Sequence, residues 1–218
     1  MIKPTLSFFL ILTLFSTYAQ SFLVTGGFSS SKIEFADFSD NVETASSGHF
    51  GFFYETPIND QFFVSTGLNF VGKGYNLRGV ASLDGVVFEF NTNVDFTYLD
   101  IPLVIGVPIE IGSLKILPTA GLYTGVGVGG TFEFVNINVV DGGSISWGNE
   151  EGSDDFKRFD FGYQVSLGFE VKNVRVSTSY NHGLRNINVV DDDDLAVKNR
   201  NWLISLGYRF DRSKGDSD

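Results

Sequence analysis

The 218-residue chain has no cysteine, one methionine, two histidines and five prolines, and its longest apolar run lies within the first nineteen residues. Each scarcity excludes something. Without cysteine there is no disulfide framework, no thiol catalysis and no lipid-attachment cysteine of the bacterial lipoprotein kind. Two histidines and no thiol are a poor basis for a histidine-rich metal site. No stretch after the N-terminal run approaches the roughly 20 apolar residues of a membrane helix, so a membrane role requires strands. Cationic side chains are also scarce: 15 Lys and Arg stand against 26 Asp and Glu, a formal charge of −11. That balance disfavours nucleic acid as a partner.

What is plentiful points one way. Twenty-three Phe, 8 Tyr and 25 Gly favour strands and turns over helices. At the N-terminus Lys3 precedes an apolar run from Leu6 to Phe15, followed by Ser16, Thr17, Tyr18 and Ala19. This is the layout of a secretory signal peptide cleaved after Ala19. Export without cysteine fits the bacterial envelope. The expected organisation is a signal peptide at 1–19, one β-domain at 20–210 and a polar tail at 211–218.

Periodicity defines the β-domain. Phe159, Phe161, Tyr163, Val165, Leu167, Phe169 and Val171 alternate with Asp160, Gly162, Gln164, Ser166, Gly168 and Glu170. Val174, Val176, Thr178 and Tyr180 alternate with Arg175, Ser177, Ser179 and Asn181, after a two-residue Lys172-Asn173 turn. Trp202, Ile204, Leu206, Tyr208 and Phe210 share a face opposite Ser205, Gly207 and Arg209. In a soluble sandwich the polar face meets water; here it is rich in small residues, which suits a narrow lumen, while the apolar face carries aromatic rings at its ends. The pattern predicts an all-β fold, an eight-stranded antiparallel transmembrane β-barrel of the outer membrane.

The eight strands are expected near Phe22 to Ser30, Gly48 to Thr56, Gln61 to Tyr75, Val86 to Gly106, Leu114 to Phe134, Arg158 to Val171, Val174 to Ile187 and Lys198 to Phe210. Short connections (Pro57 to Asp60, Val107 to Ser113, Lys172-Asn173) alternate with long ones (Ser31 to Ser47, Asn76 to Gly85, Val135 to Lys157, Asn188 to Val197). Short turns face the periplasm in such barrels, which places both termini there. In the fourth strand Val94, Phe96 and Tyr98 give way to Ile101, Leu103 and Ile105, an apparent change of face beside Pro102 that predicts a bulge.

The ordered motifs Tyr98-Leu99-Asp100-Ile101-Pro102-Leu103, Leu117-Pro118-Thr119-Ala120-Gly121, Asp160-Phe161-Gly162, Gly183-Leu184-Arg185-Asn186-Ile187 and Leu206-Gly207-Tyr208-Arg209-Phe210 span nearly the whole mature chain. Together they resemble the PorT-type outer-membrane β-barrel family of Bacteroidota. The resemblance implies an eight-stranded barrel, and the family's namesake takes part in protein secretion and gliding-related transport. It carries fold better than function.

No residue set reads as a catalytic, cofactor or metal site. His182 shares a face with Tyr180 and Thr178, whereas Ser177 and Ser179 point the other way, so a base and a nucleophile do not meet there. His49 has still less around it. Glu150, Glu151, Asp154 and Asp155 in one expected loop and Asp191 to Asp194 in another lack calcium-loop spacing. They read as solvated loops, with a weak divalent-cation contact as the alternative. Asp160, Glu170, Arg175 and Arg209 share the lumen parity and are expected to pair across the interior and plug it. Gly125, Gly127, Gly129 and Gly130 lie within a strand and mark close packing or a bend rather than a phosphate loop.

The function expected is that of a noncatalytic outer-membrane protein, structural or accessory to envelope transport and secretion. Its partners would be outer-membrane lipid and envelope or secretion proteins. The alternative is a small ligand-binding or narrow channel barrel, which eight strands leave little room for. An enzyme is the third reading.

Overall fold

The computed structural model describes residues 20–35, 42–83, 86–136, 139–190 and 195–211. The expected signal peptide, the Asp191 to Asp194 run and tail residues 212–218 lie outside the described residues. The strands are β1 Ser21–Phe35, β2 Val42–Pro57, β3 Phe63–Leu83, β4 Val86–Gly106, β5 Ile109–Ile111, β6 Leu114–Asn136, β7 Val139–Ser144, β8 Phe159–Val171, β9 Val174–Gly183 and β10 Val197–Asp211. Hydrogen bonds run in the order β4-β3-β2-β1-β10-β9-β8-β6, and β6 pairs back to β4, which closes an antiparallel ring of eight. The short strands β5 and β7 both pair with β6.

The closed ring leaves no edge among its members, as a bilayer demands. From Gly26 the register leads one way through Phe50, Phe70 and Leu99 to Val126. The other way it leads through Leu206, Val176 and Phe169 to Ile116. The barrel thus closes with a stagger of ten residues along β6, from Ile116 to Val126, so its strands are strongly tilted. At one end, the turn end, lie residues 58–62, 107–113 and 172–173 with Ser21 and Asp211. Gly112 (φ 61°) and Lys172 (φ 56°) take the left-handed positions of the two tight turns there.

The expected strands all form, although the one expected to reach Ile187 ends at Gly183, and several expected loops are strand. Ser31 to Phe35 and Val42 to Ser47 extend β1 and β2, and the β3–β4 hairpin runs as far as the Leu83 and Val86 pair. The β1 extension is apolar-in and polar-out, with Ile33 buried between exposed Lys32 and Glu34, the reverse of the lower barrel. Ile33, Tyr75, Val94, Phe96, Tyr98, Ile145, Ile187 and Val197 form a buried apolar cluster at this loop end.

The same reversal corrects the reading of the fourth strand. In β4 the even positions from Val94 to Val104, Pro102 included, are all buried, whereas Ile101, Leu103 and Ile105 are exposed. No side chain changes face; the surroundings change, from an apolar interior at the loop end to lipid outside the lower wall. The bulge lies on the neighbouring strand: Thr97 faces Gly129 and Tyr98 faces Gly127, leaving Val128 unopposed. Phe132 beyond it packs against the apolar cluster. Close packing accompanies the bend, since a Cβ on Gly125 would lie 2.5 Å from Asp100 Oδ1.

Candidate functional site

The lumen is the part of the molecule where polar chemistry concentrates, because strand alternation sends every second side chain of eight strands into it. Three layers fill it from turn end to loop end.

The first is a charge network around Arg175. Its guanidinium donates from Nη1 and Nη2 to Glu55 Oε1 and Oε2 at 2.6 and 2.8 Å, and from Nε to Glu170 Oε2 at 2.9 Å. Arg209 Nη1 lies 3.0 Å from Glu170 Oε1, and its Nε lies 3.1 Å from Asp211. Glu170 is fully buried and Glu55 and Arg175 nearly so. Two cations and two lumen carboxylates balance, and the fork geometry of arginine suits this bidentate bridging. Replacing Arg175 with Met strands Glu55 and should lower unfolding stability by about 3–5 kcal/mol, read as a lower urea midpoint in detergent micelles. Arg175→Lys should recover only part, because one ammonium cannot make the fork. A wild-type midpoint for Arg175→Met would rule out this network as a structural clamp.

Above it lies a polar chamber of about 70 Å³, lined by His49, Asn69, Gln164, Ser179, Asn181 and Ser205 among others. That is space for a few waters and well short of the roughly 300 Å³ at which small-molecule pockets begin. His49 is buried here, contrary to expectation, with Nε2 3.1 Å from Ser205 Oγ and Nδ1 3.4 Å from Asn69 Oδ1. The arrangement has the outline of a nucleophile, base and orienting group. Nε2 also faces the Ile204 carbonyl at 3.4 Å, so both ring nitrogens have hydrogen-bond partners inside the chamber.

The third layer is an ion cluster. Lys73 Nζ donates to Asp100 Oδ1 at 3.0 Å and to Asp160 Oδ2 at 3.3 Å, and none of the three is more than 2 % exposed. Asp160 Oδ2 also accepts from Tyr123 Oη at 3.1 Å and Asn199 Nδ2 at 2.9 Å. The ammonium sits 4.4 Å from the Tyr98 ring centre and 5.0 Å from that of Tyr123.

A cap closes the mouth. Residues after β7 fold back into it: Ile145 N donates to Gly130 O at 3.0 Å, Lys157 N to Ile187 O at 2.7 Å, and Ile187 N to Val197 O at 2.9 Å. The Trp147 ring packs 5.5 Å from Phe96 and 5.4 Å from Tyr98, and Phe156 lies 4.9 Å from Phe96. Gly127 makes room for the indole, since a Cβ there would stand 2.7 Å from its ring.

The expected lumen charges are therefore inside, but not as one set. Glu170, Arg175 and Arg209 join, while Asp160 belongs with Lys73 and Asp100. Lys73, Asp100 and Glu55 are the residues the sequence reading passed over, and each was marked by one signal: a charge on the lumen parity of an otherwise apolar or glycine-rich strand. His182 faces outward, stacked 4.7 Å from Tyr163, with Ser179 on the lumen side as expected. In the acidic loop, Asp155 Oδ2 accepts from Ser146 N at 2.7 Å and Asp154 Oδ2 from Glu150 N at 2.9 Å, so these carboxylates lock the loop itself. Among the described residues no group of three or more His, Asp or Glu is placed to hold a metal ion.

A closed antiparallel ring with an outward apolar band and a packed charged lumen defines a small transmembrane β-barrel. The chain belongs to the family described as outer membrane protein beta-barrel domain, whose model matches residues 18–189, and it is a protein of the outer membrane. Among solved structures it is similar to the attachment invasion locus protein Ail of Yersinia pestis, at 14% identity and a TM-score of 0.42 over 89% of this chain and 100% of that one. Neisserial surface protein A matches at 14% and 0.45 over 87% and 97%. OprG of Pseudomonas aeruginosa matches at 13% and 0.41 over 88% and 97%. No curated protein matches the chain.

Proposed function

We propose that this is a noncatalytic outer-membrane protein, structural or accessory to envelope transport and secretion, exported by a signal peptide cleaved after Ala19. Its turn end faces the periplasm and its acidic loops face outside, where they make at most weak divalent-cation contacts. The observation that carries this reading is the filled lumen: among the described residues a balanced charge network, a chamber of about 70 Å³ and an aromatic cap lie in series. The resemblance of the Tyr98 to Leu103 and Leu206 to Phe210 motifs to the PorT-type family supports the secretion side of the reading.

One observation favours the alternative of a small ligand-binding barrel. A vestibule of about 340 Å³ at the turn end, lined by Glu55, Pro108, Lys115, Arg175 and Arg209, falls within the size range of small-molecule pockets. Conductance and binding separate the two. Purified outer membranes should contain a species whose gel mobility changes on boiling, and the same protein in planar bilayers should give no ion steps. Regular single-channel steps, or a small metabolite retained through purification, would replace the accessory reading with the alternative.

A further inference from the structure

The outer surface of the barrel is divided electrostatically, and the division follows from register. On the wall made by β1, β10, β9 and β8, outward side chains form cross-strand rows. Phe28, Ile204, Thr178 and Leu167 make one, and Ser30, Trp202, Tyr180 and Val165 make the next toward the loop end. The row beyond is Lys32, Arg200, His182 and Tyr163, and past it Glu34 faces Lys198. An apolar row, an aromatic row and a cationic row thus succeed one another, which is the profile of a bilayer leaflet ending at its headgroups.

The cationic rows are ordered. Arg200 Nε donates to Glu34 Oε2 at 2.8 Å, while Nη1 donates to the carbonyls of Gly183 and Asn199 at 2.7 and 2.8 Å, so its guanidinium is fixed against the wall. Trp202 lies 4.8 Å from Tyr180 beneath it. Lys32 and Lys198 have no ion-pair partner among the described residues. Among the described residues three cations and one carboxylate meet at this spot, and Arg200, itself buried, pairs with that carboxylate, which leaves the two lysines. The far wall is the opposite: Asp95, Glu133 and Asp141 line an open acidic recess on β4, β6 and β7.

We infer that the wall of Lys32, Lys198 and Arg200 binds the phosphorylated headgroup of an outer-leaflet glycolipid, whose acyl chains lie along Trp202, Ile204 and Phe28. Charge complementarity selects the phosphate, and the two lysines supply compact point charges for it while Arg200 holds the surface in shape. The aromatic and apolar rows directly adjoining select a lipid over a soluble anion, because a soluble anion gains nothing from them. The inference rests on the proposed orientation, with the loop end outside.

The test uses the full mature chain refolded into nanodiscs, checked first for a boiling-dependent gel shift. Binding of bisphosphorylated lipid A and of its dephosphorylated form is then compared by native mass spectrometry. Wild-type protein should prefer the phosphorylated form by about tenfold or more, and the Lys32→Gln, Lys198→Gln double variant should lose that preference. Arg78→Gln removes a cation from the other wall, where Arg78 pairs with Glu43 at 3.4 Å, and should leave the preference intact. An inserted, heat-modifiable protein with no phosphate preference overturns this inference alone. Equal loss in the Arg78 variant, or equal competition by inorganic phosphate or a soluble polysulfate, also overturns it. A chain that does not insert at all overturns the membrane orientation as well.

Discussion

Replacing Lys73 with Met should be among the most destabilising single substitutions in this barrel. The ammonium is fully buried and is the cation that Asp100 and Asp160 share, at 3.0 and 3.3 Å. Without it two carboxylates remain in the lumen with no other cation paired to them among the described residues. Removing one partner of a buried ion pair costs about 3–5 kcal/mol, and here one removal strands two groups. In detergent micelles the urea midpoint should fall steeply, and folded, fast-migrating protein should be scarce on unheated gels. The triple variant Lys73→Met, Asp100→Asn, Asp160→Asn should regain most of the loss, because neutral amides of the same shape need no counter-ion. If Lys73→Met alone unfolds like wild type, the cluster is not what holds these walls together. If the triple variant is no better than the single one, lost packing against the Tyr98 and Tyr123 rings is the cause instead of stranded charge.

The second large effect is expected at Gly127. A Cβ at this position would stand 2.7 to 2.8 Å from three atoms of the Trp147 ring, so Gly127→Leu and the present indole position are incompatible. The β6 backbone is held by neighbours on both sides, whereas Trp147 belongs to a connecting segment, so the indole is the group that yields. Its departure uncovers Phe96, Tyr98 and Phe156 and should cost about 2–4 kcal/mol of loop-end packing. In a Trp202→Phe background Trp147 is the remaining tryptophan, which makes the displacement visible as red-shifted emission and easier quenching by iodide. Conductance should stay absent, since the Lys73 and Arg175 clusters still fill the lumen below. Unchanged emission would place the indole elsewhere, and ion steps in this variant would make the cap the gate and favour the channel reading.

Both predictions concern residues whose partners are far away in sequence, and that explains which parts of the molecule could be read early. The alternation in β8, β9 and β10 is a property of one strand at a time, so strand positions, their faces and the ring of eight followed from local pattern. The failures at β4 and at the expected long loops have one origin. A periodicity of two shows that faces alternate but not which face is inside, and here the apolar face is outside in the lower barrel and inside at the loop end. The apolar pattern changes beside Pro102 and predicts a bulge there, whereas the extra residue is Val128 on the neighbouring strand.

By itself the sequence determined the eight strands of the ring, the alternation of faces, the absence of thiol chemistry and the presence of charges on lumen positions, because each is settled within a few consecutive residues. Only the tertiary structure decided which charges meet. Arg175 reaches Glu55 across 120 residues of chain and Lys73 reaches Asp160 across 87, by way of strands that the closing stagger brings face to face. The same closure seats Trp147 over Gly127 and gathers Lys32, Lys198 and Arg200 on one wall. Such pairings depend on register and stagger summed around the whole ring, and no single strand carries that information.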